Sequence, residues 1–454
     1  MSRCAFVLAV GLLASCRTVP SDAGRGGPSS PFAAPEIVAA ADRMAARDLW
    51  PGFDPRALPV AIFDGRRTWL FRHPAPPEGF EPDPGRTRAL VFPGRHPAVT
   101  ANTSTSIGGV ETAVLFLDST RASRRMLAAV LIHESFHVYQ RLRHPDWTAN
   151  EVELFTYPTD DVEALALRRL ETEALRRALA WGGYTSACWA RTALDLRSRR
   201  FVRLAQGAVA YETGIEMVEG LAEYVESRAR GLPDADILPR GEYRPEAVRL
   251  RGYAVGHALA RLLDRLDRGW RERLERNDST TLDGLLFTAA ASREDTLTTC
   301  GLAPGALEAA RSDAARDVGA LRGRRAALRR EFLARSGWTL IVEADRPPLF
   351  PQGFDPLNVQ RLSDDEVLHT RWLRLGGQAG TVEVMGRAAL TRAAGAHPLF
   401  SGVRALVVAG LPEEPAVEEA GGRVTIVADA VRASLAGASV EVVRGTRTLW
   451  VRIP

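Results

Sequence analysis

At 454 residues the chain is long enough for two or three domains with substantial cores. The hydrophobic fraction of 46% and charged fraction of 25% are ordinary for a globular protein, and a formal charge of +4 is slight for this size. With no basic block interleaved with aromatics, nucleic-acid binding is excluded as a working reading. All 59 basic residues are arginine, so no lysine is available as a catalytic base or Schiff-base former.

In chain order, Arg3 supplies a positive start, and Ala5 to Ala14 an apolar run too short to span a bilayer. Leu13-Ala14-Ser15-Cys16 resembles a bacterial lipobox, which implies a lipoprotein signal over residues 1–16 in which Cys16 is lipidated and becomes the mature N-terminus. An ordinary secretory signal with an incidental cysteine is the alternative. Arg17 follows, with no aspartate there, so the expected location is the cell envelope, at the outer membrane. Residues 17–35, rich in Gly, Pro and Ser, read as a tether. Cys4 leaves with the signal, so Cys188 and Cys300 remain as one disulfide of an oxidising compartment or as two buried thiols.

Residues 36–118 read as the N-terminal α/β part of a catalytic unit. Val60–Phe63, Thr68–Phe71, Ala89–Phe92 and Thr112–Leu117 are strand candidates separated by proline-rich joins. Residues 119–336 read as helical. The first helix, capped by Ser119 or Thr120 and stopped near His144-Pro145, has an apolar face of Met126, Leu127, Val130 and Leu131. Inside it stands His133-Glu134-Ser135-Phe136-His137. Histidines at i and i+4 share one helix face, so both imidazoles can reach one tetrahedral Zn2+. Glu134 is placed to take a proton from a metal-activated water. Further helices are expected over Val162–Trp181, Thr213–Arg230, Pro245–Arg268 (terminated by Gly269) and Ala306–Arg335. From 337 to 454 short β-like runs indicate an all-β accessory domain: Thr339–Glu343, Leu368–Leu375, Thr381–Met385, Val403–Val408, Val424–Ala428 and Ser439–Ile453, the last with a turn at Arg444-Gly445-Thr446. His369 and His397 fall there without metal-ligand spacing.

The HExxH core and the segment Val218-Glu219-Gly220-Leu221-Ala222 together resemble the gluzincin zinc metallopeptidases, distantly those of aminopeptidase-N type. The resemblance implies Glu219 as third zinc ligand, with Gly220 allowing a close approach to the HExxH helix and Glu223, one turn on, orienting a histidine. Glu212 and Glu216 are lower-ranked ligand candidates. Tyr253-Ala254-Val255-Gly256-His257 resembles that family's Tyr-x-x-Gly segment, implying Tyr253, or His257 on the same face, as oxyanion support. Gly108-Gly109-Val110-Glu111 is similar in shape to the family's substrate-binding strand. The strand before the HExxH helix is expected to be the edge on which an extended peptide lies. Glu219 follows His137 by 82 positions (219 − 137), against roughly 19 in aminopeptidase-N-like enzymes, so Asp146–Tyr211 would be an insertion that folds away and returns.

The expectation is therefore an α+β protein: a mostly helical zincin-like catalytic domain with an upstream strand region, followed by a β-rich domain. Its expected activity is zinc-dependent peptide hydrolysis with Glu134 as general base. The expected partners are a peptide or protein substrate and, through the lipid alone, a membrane. A zinc-binding envelope module without catalysis is the second reading.

Overall fold

The computed structural model describes residues 32–85, 87–117, 122–291 and 300–454. Cys16 and its surroundings, and Ser119 and Thr120, lie outside them. The fold is mixed helix and sheet with a multi-sheet β region at its C-terminal end, hence α+β. The chain divides into two units: residues up to Glu151 together with Glu163–Arg311, and Val152–Val162 together with Ser312–Pro454.

In the first unit, α1 (Ala34–Met44) precedes six strands, β1 (Val60–Phe63), β2 (Arg67–Phe71), β3 (Glu81–Pro82), β4 (Leu90–Pro93), β5 (Thr103–Ile107) and β6 (Val110–Phe116). They form one sheet in the order β3-β4-β2-β1-β6-β5, in which only β1 and β6 run parallel. The period-2 alternation sends Val60, Ile62, Ala113 and Leu115 into the main core and Ala61, Leu70 and Val114 into a smaller core on the other face. The peptide-edge expectation is corrected here. β6 is interior, paired on both sides, and the edge beside it belongs to β5, whose Thr-Ser-Thr-Ser-Ile sequence lacks the apolar run that reveals a strand; β3 forms the opposite edge. Gly108 and Gly109 (φ 55° and 82°) make the two-residue turn that joins β5 to β6.

Helix α2 (Arg124–Arg143) carries the HExxH segment. Its cap is Ser123, whose side chain accepts from the Met126 N–H, and not Ser119 or Thr120; it ends at His144, before Pro145. From Leu127 to Gln140 every residue except Val130 is buried, so α2 is an all-round core helix and not one with a single apolar face. Next come α3 (Glu151–Thr156), α4 (Val162–Ala180), α5 (Gly183–Phe201) and α6 (Gln206–Ile215). The expected insertion does not fold away: Leu167, Leu170 and Leu175 of α4 and Ala190, Ala193 and Leu196 of α5 lie in the same core as Leu131 and Phe136 of α2. Helix α6 continues through a π turn, Glu216–Gly220, into α7 (Leu221–Arg230), which Gly231 closes in the left-handed conformation. Then follow α8 (Val248–Leu266), α9 (Trp270–Glu275), α10 (Leu282–Ala291) and α11 (Ala306–Leu333). Asp267, and not Gly269, caps α8; Gly269 opens α9.

The resemblance implied that Gly220 faces the HExxH helix, yet its neighbour is α8. A Cβ on Gly220 would meet Gly256 Cα at 2.5 Å, and one on Gly256 would meet the Glu216 carbonyl oxygen at 2.4 Å. Paired glycines thus seat the π turn against the helix that carries Tyr253. Cys188 and Cys300 are joined by a disulfide. No helix among the described residues is long and apolar enough to cross a membrane.

In the second unit, a seven-stranded and a six-stranded sheet enclose a shared apolar core, with Leu340, Val342 and Val408 from one and Leu375, Val384 and Ile426 from the other. The expected strand Leu368–Leu375 is two strands, Glu366–His369 and Trp372–Gly377, one in each sheet, with the corner at residues 370–371. Ser439–Val443 and Thr448–Ile453 pair as a hairpin across Arg444–Thr446. His369 faces the Thr391 hydroxyl at 3.3 Å and His397 the Val152 carbonyl at 3.2 Å, so the two do not meet.

Candidate metal centre

α2 and the π turn bring three sequence-predicted residues together. His133 Nε2 and His137 Nε2 are 3.1 Å apart, and Glu219 Oε2 is 3.6 Å and 3.3 Å from them. Two ligand atoms bound at about 2.05 Å in tetrahedral geometry lie about 3.3 Å apart, so the edges of this triangle straddle the spacing of one face of a tetrahedral zinc site. Two imidazoles and a carboxylate are also the donor set of other first-row divalent ions. All three side chains are buried.

The remaining ring nitrogens are committed elsewhere, which aims the Nε2 lone pairs at this point. Gln140 donates its amide N–H to the Met217 and Val218 carbonyls inside the π turn (3.1 and 3.0 Å), so its oxygen accepts from His137 Nδ1 at 2.9 Å. His133 Nδ1 lies 3.4 Å from Glu226 Oε2. With His137 Nδ1 donating to Gln140 and His133 Nδ1 facing the Glu226 carboxylate, the Nε2 atoms and Glu219 Oε2 converge as Lewis bases in a water-poor interior, an arrangement that a cation stabilises. Arg249 Nη2 donates to Glu219 Oε1 at 2.8 Å, leaving Oε2 on the histidine side. Burial pushes the Glu219 carboxyl up, but His137, His133 and Arg249 outweigh it and hold it well below the usual range.

The other predicted residues fall as follows. Glu134 is fully buried on α2, directly after His133. Tyr253 reaches the cluster: its ring lies nearly parallel to that of His133, centroids 6.4 Å apart, and its hydroxyl accepts from Arg249 Nη1 at 2.7 Å. His257 does not. One turn further along α8 it packs edge-on to Tyr224, near Arg261 and Asp234, and burial followed by Arg261 lowers its pKa to about 3. Glu223 lies with Glu226 near His133, one ligand atom of each within 4.8 Å of the others. Glu212 and Glu216 turn away, to Arg200 and to Arg197 respectively. Glu111 pairs with Arg141 at 2.9 Å.

Gln140, Glu226, Arg249 and Glu151 were not singled out from the sequence. Helical spacing contained a signal for three of them: Gln140 is three after His137, Glu226 seven after Glu219, and Arg249 four before Tyr253. Only the fold could reveal Glu151, which accepts from Arg249 Nε at 3.0 Å.

Fold and site together bring two buried histidines and one buried glutamate into a group able to hold a metal ion. Comparisons of the chain with protein-family models, curated proteins and solved structures return no match.

Proposed function

We propose that this protein is a zinc-dependent peptidase with a zincin-like catalytic unit of gluzincin type, exported and anchored in the cell envelope through a lipid on Cys16. The observation that carries the proposal is the triangle of His133, His137 and Glu219 beside the buried Glu134. His133, His137 and Glu219 would hold a zinc ion, which would supply Lewis-acid activation of a water, lowering its pKa towards about 7. Glu134 takes the proton as the water oxygen attacks the amide carbonyl, and returns it to the departing amine. Tyr253, beside His133, donates its O–H to the oxygen on which negative charge develops. His257 has no part in this step, because it faces Tyr224.

The test is elemental analysis of the purified chain, followed by cleavage of a quenched-peptide library with and without a chelator. The proposal expects about one zinc per chain and chelator-sensitive cleavage, lost in Glu134→Gln with zinc retained. A Glu134→Gln protein cleaving at the parental rate sinks the general-base role. The near-complete burial of His133, Glu134 and His137 (1, 0 and 5% exposed) favours a second reading, a zinc-bearing envelope module without catalysis. Bound zinc with no chelator-sensitive cleavage across a broad library would select it.

A further inference from the structure

Arg249, at the start of α8, is bonded to both halves of the candidate centre. Its Nη2 donates to Glu219 Oε1 at 2.8 Å, its Nη1 to the Tyr253 hydroxyl oxygen at 2.7 Å, and its Nε to Glu151 Oε1 at 3.0 Å. Glu151 is held from behind by the Tyr211 hydroxyl, which donates to its Oε2 at 3.2 Å. The guanidinium carbon lies 5.1 Å from the Tyr253 ring centroid. We propose that Arg249 is a positioning residue that sets two things at once: the single-oxygen presentation of Glu219 to the metal, and the direction of the Tyr253 O–H.

Donor chemistry carries both parts. A guanidinium can only donate. At Glu219 it occupies Oε1, so the carboxylate offers only Oε2 to the point shared by the two histidines, and cannot swing to chelate through both oxygens. At Tyr253 it fills an acceptor position of the hydroxyl oxygen, so the tyrosine proton must point to a different acceptor. The tyrosine is thereby kept a donor beside His133, the role that support of an oxyanion requires. The planar fork makes the two bonds simultaneous. A lysine ammonium, a point charge on a flexible stem, cannot reproduce that geometry. The anchor of Glu151 on Nε keeps the fork from rotating about its own axis. The ordinary alternative is that Arg249 merely neutralises the buried Glu219. Under that alternative a lysine serves nearly as well, and Tyr253 is energetically unrelated to Arg249.

The inference rests on the metal reading but not on peptide hydrolysis, and the experiment is built accordingly. Full-chain parent, Arg249→Lys, Arg249→Met, Tyr253→Phe and the Arg249→Met/Tyr253→Phe double variant are compared. The readouts are zinc affinity by competition with a chromophoric chelator, the visible spectrum of the cobalt-loaded protein, and acetohydroxamate affinity of the cobalt form. Circular dichroism verifies folding. Arg249→Met is expected to weaken zinc binding about 10- to 100-fold and to alter the cobalt spectrum. Arg249→Lys is expected not to restore the parental spectrum, while Tyr253→Phe leaves zinc affinity and spectrum unchanged. For acetohydroxamate, Arg249→Met and Tyr253→Phe each lower affinity, and the double variant loses no more than the larger single loss. Parental zinc affinity and spectrum in Arg249→Met overturn the first part; strictly additive hydroxamate losses overturn the second. If Arg249→Met does not fold, the Arg249→Lys spectrum alone decides, a parental spectrum overturning the proposal. Where the parent cleaves peptides, the same cycle in kcat at unchanged KM repeats the test. A parent without cleavage sinks the peptidase reading and leaves these readouts intact.

Discussion

The helical run from Gln206 to Arg230 carries two sets of buried carboxylates with opposite kinds of neighbour. Glu212 and Glu216 face cations of the protein itself: Arg200 and Arg251 meet Glu212, Arg197 meets Glu216, and all three arginines reach Glu171 on α4. One turn later Glu219 faces the Nε2 atoms of two imidazoles. In the first region the chain's own arginines face the buried carboxylates, although at Glu216 burial outweighs Arg197 and pushes the carboxyl up to about 7. In the second the convergent atoms are Lewis bases, and Arg249 answers only one oxygen of Glu219. Burial of acid is therefore not what marks the site. The identity of the countergroup is.

The sharpest break in this comparison is chemical. Glu134→Gln should cut peptide hydrolysis by about 10²–10⁴-fold, measured as kcat, with zinc content unchanged, because it removes a proton acceptor and no ligand. Second in size is the arginine side. Arg200→Met leaves Glu171 and Glu212 buried with less compensation and should cost about 3–5 kcal/mol in urea unfolding, while zinc stoichiometry of the folded fraction holds. A variant that loses zinc but not stability would reverse the roles given to the two regions. Third, metal removal should lower the stability of the parent by about 3 kcal/mol when free zinc stands at about 100 times its Kd, and should leave His137→Ala unmoved. Equal destabilisation of both by the chelator would show that it acts elsewhere.

The smallest effect concerns pH. His257 is buried and neutral, its folded pKa about 3 lying below its unfolded value of about 6.5. The unfolded state therefore binds the extra proton, and the stability present above about pH 6.5 is lost as pH falls towards 3, on the order of 1–2 kcal/mol by pH 5. Glu216, whose carboxyl burial pushes up to about 7, acts in the opposite sense over the same range, so His257→Gln should raise the urea midpoint at pH 5 relative to that at pH 7. An unchanged slope would remove His257 as its source. Burial opposes ionisation of Glu171 and Glu212, but their arginines hold both carboxyls below the usual range, so their contribution is lost only below about pH 4.5.

Much of the site was legible because helical spacing is a geometric constraint. The i, i+4 separation of His133 and His137 demands one face whatever the tertiary fold, and Tyr253 with Arg249 obeys the same rule. Strands that read as continuous apolar runs, such as Val60–Phe63, were legible because both of their faces are buried. Thr103–Ile107 was not, because its buried positions Thr103 and Ser104 are polar and leave no apolar pattern to read. The π turn was hidden too. Nothing in Glu216–Gly220 taken alone distinguishes a five-residue hydrogen-bond step from a four-residue one, and the Gln140 amide that serves its carbonyls lies on another helix.

The sequence by itself determined which atoms were capable of the chemistry: two imidazoles one turn apart, a following carboxylate, and further acids at helical spacing. It also placed Cys188 and Cys300 as candidates for pairing, and the fold brought them together. The family resemblance ranked Glu219 first among the acids, and tertiary structure decided what each of them meets. Glu212, Glu216, Glu219 and Glu223 are chemically equivalent in sequence. Their fates separate because the π turn and the Gly220–Gly256 contact set how the run rotates between α2, α8 and the arginines of α5. A local pattern specifies a side chain's reach, and only packing specifies what waits at the end of it.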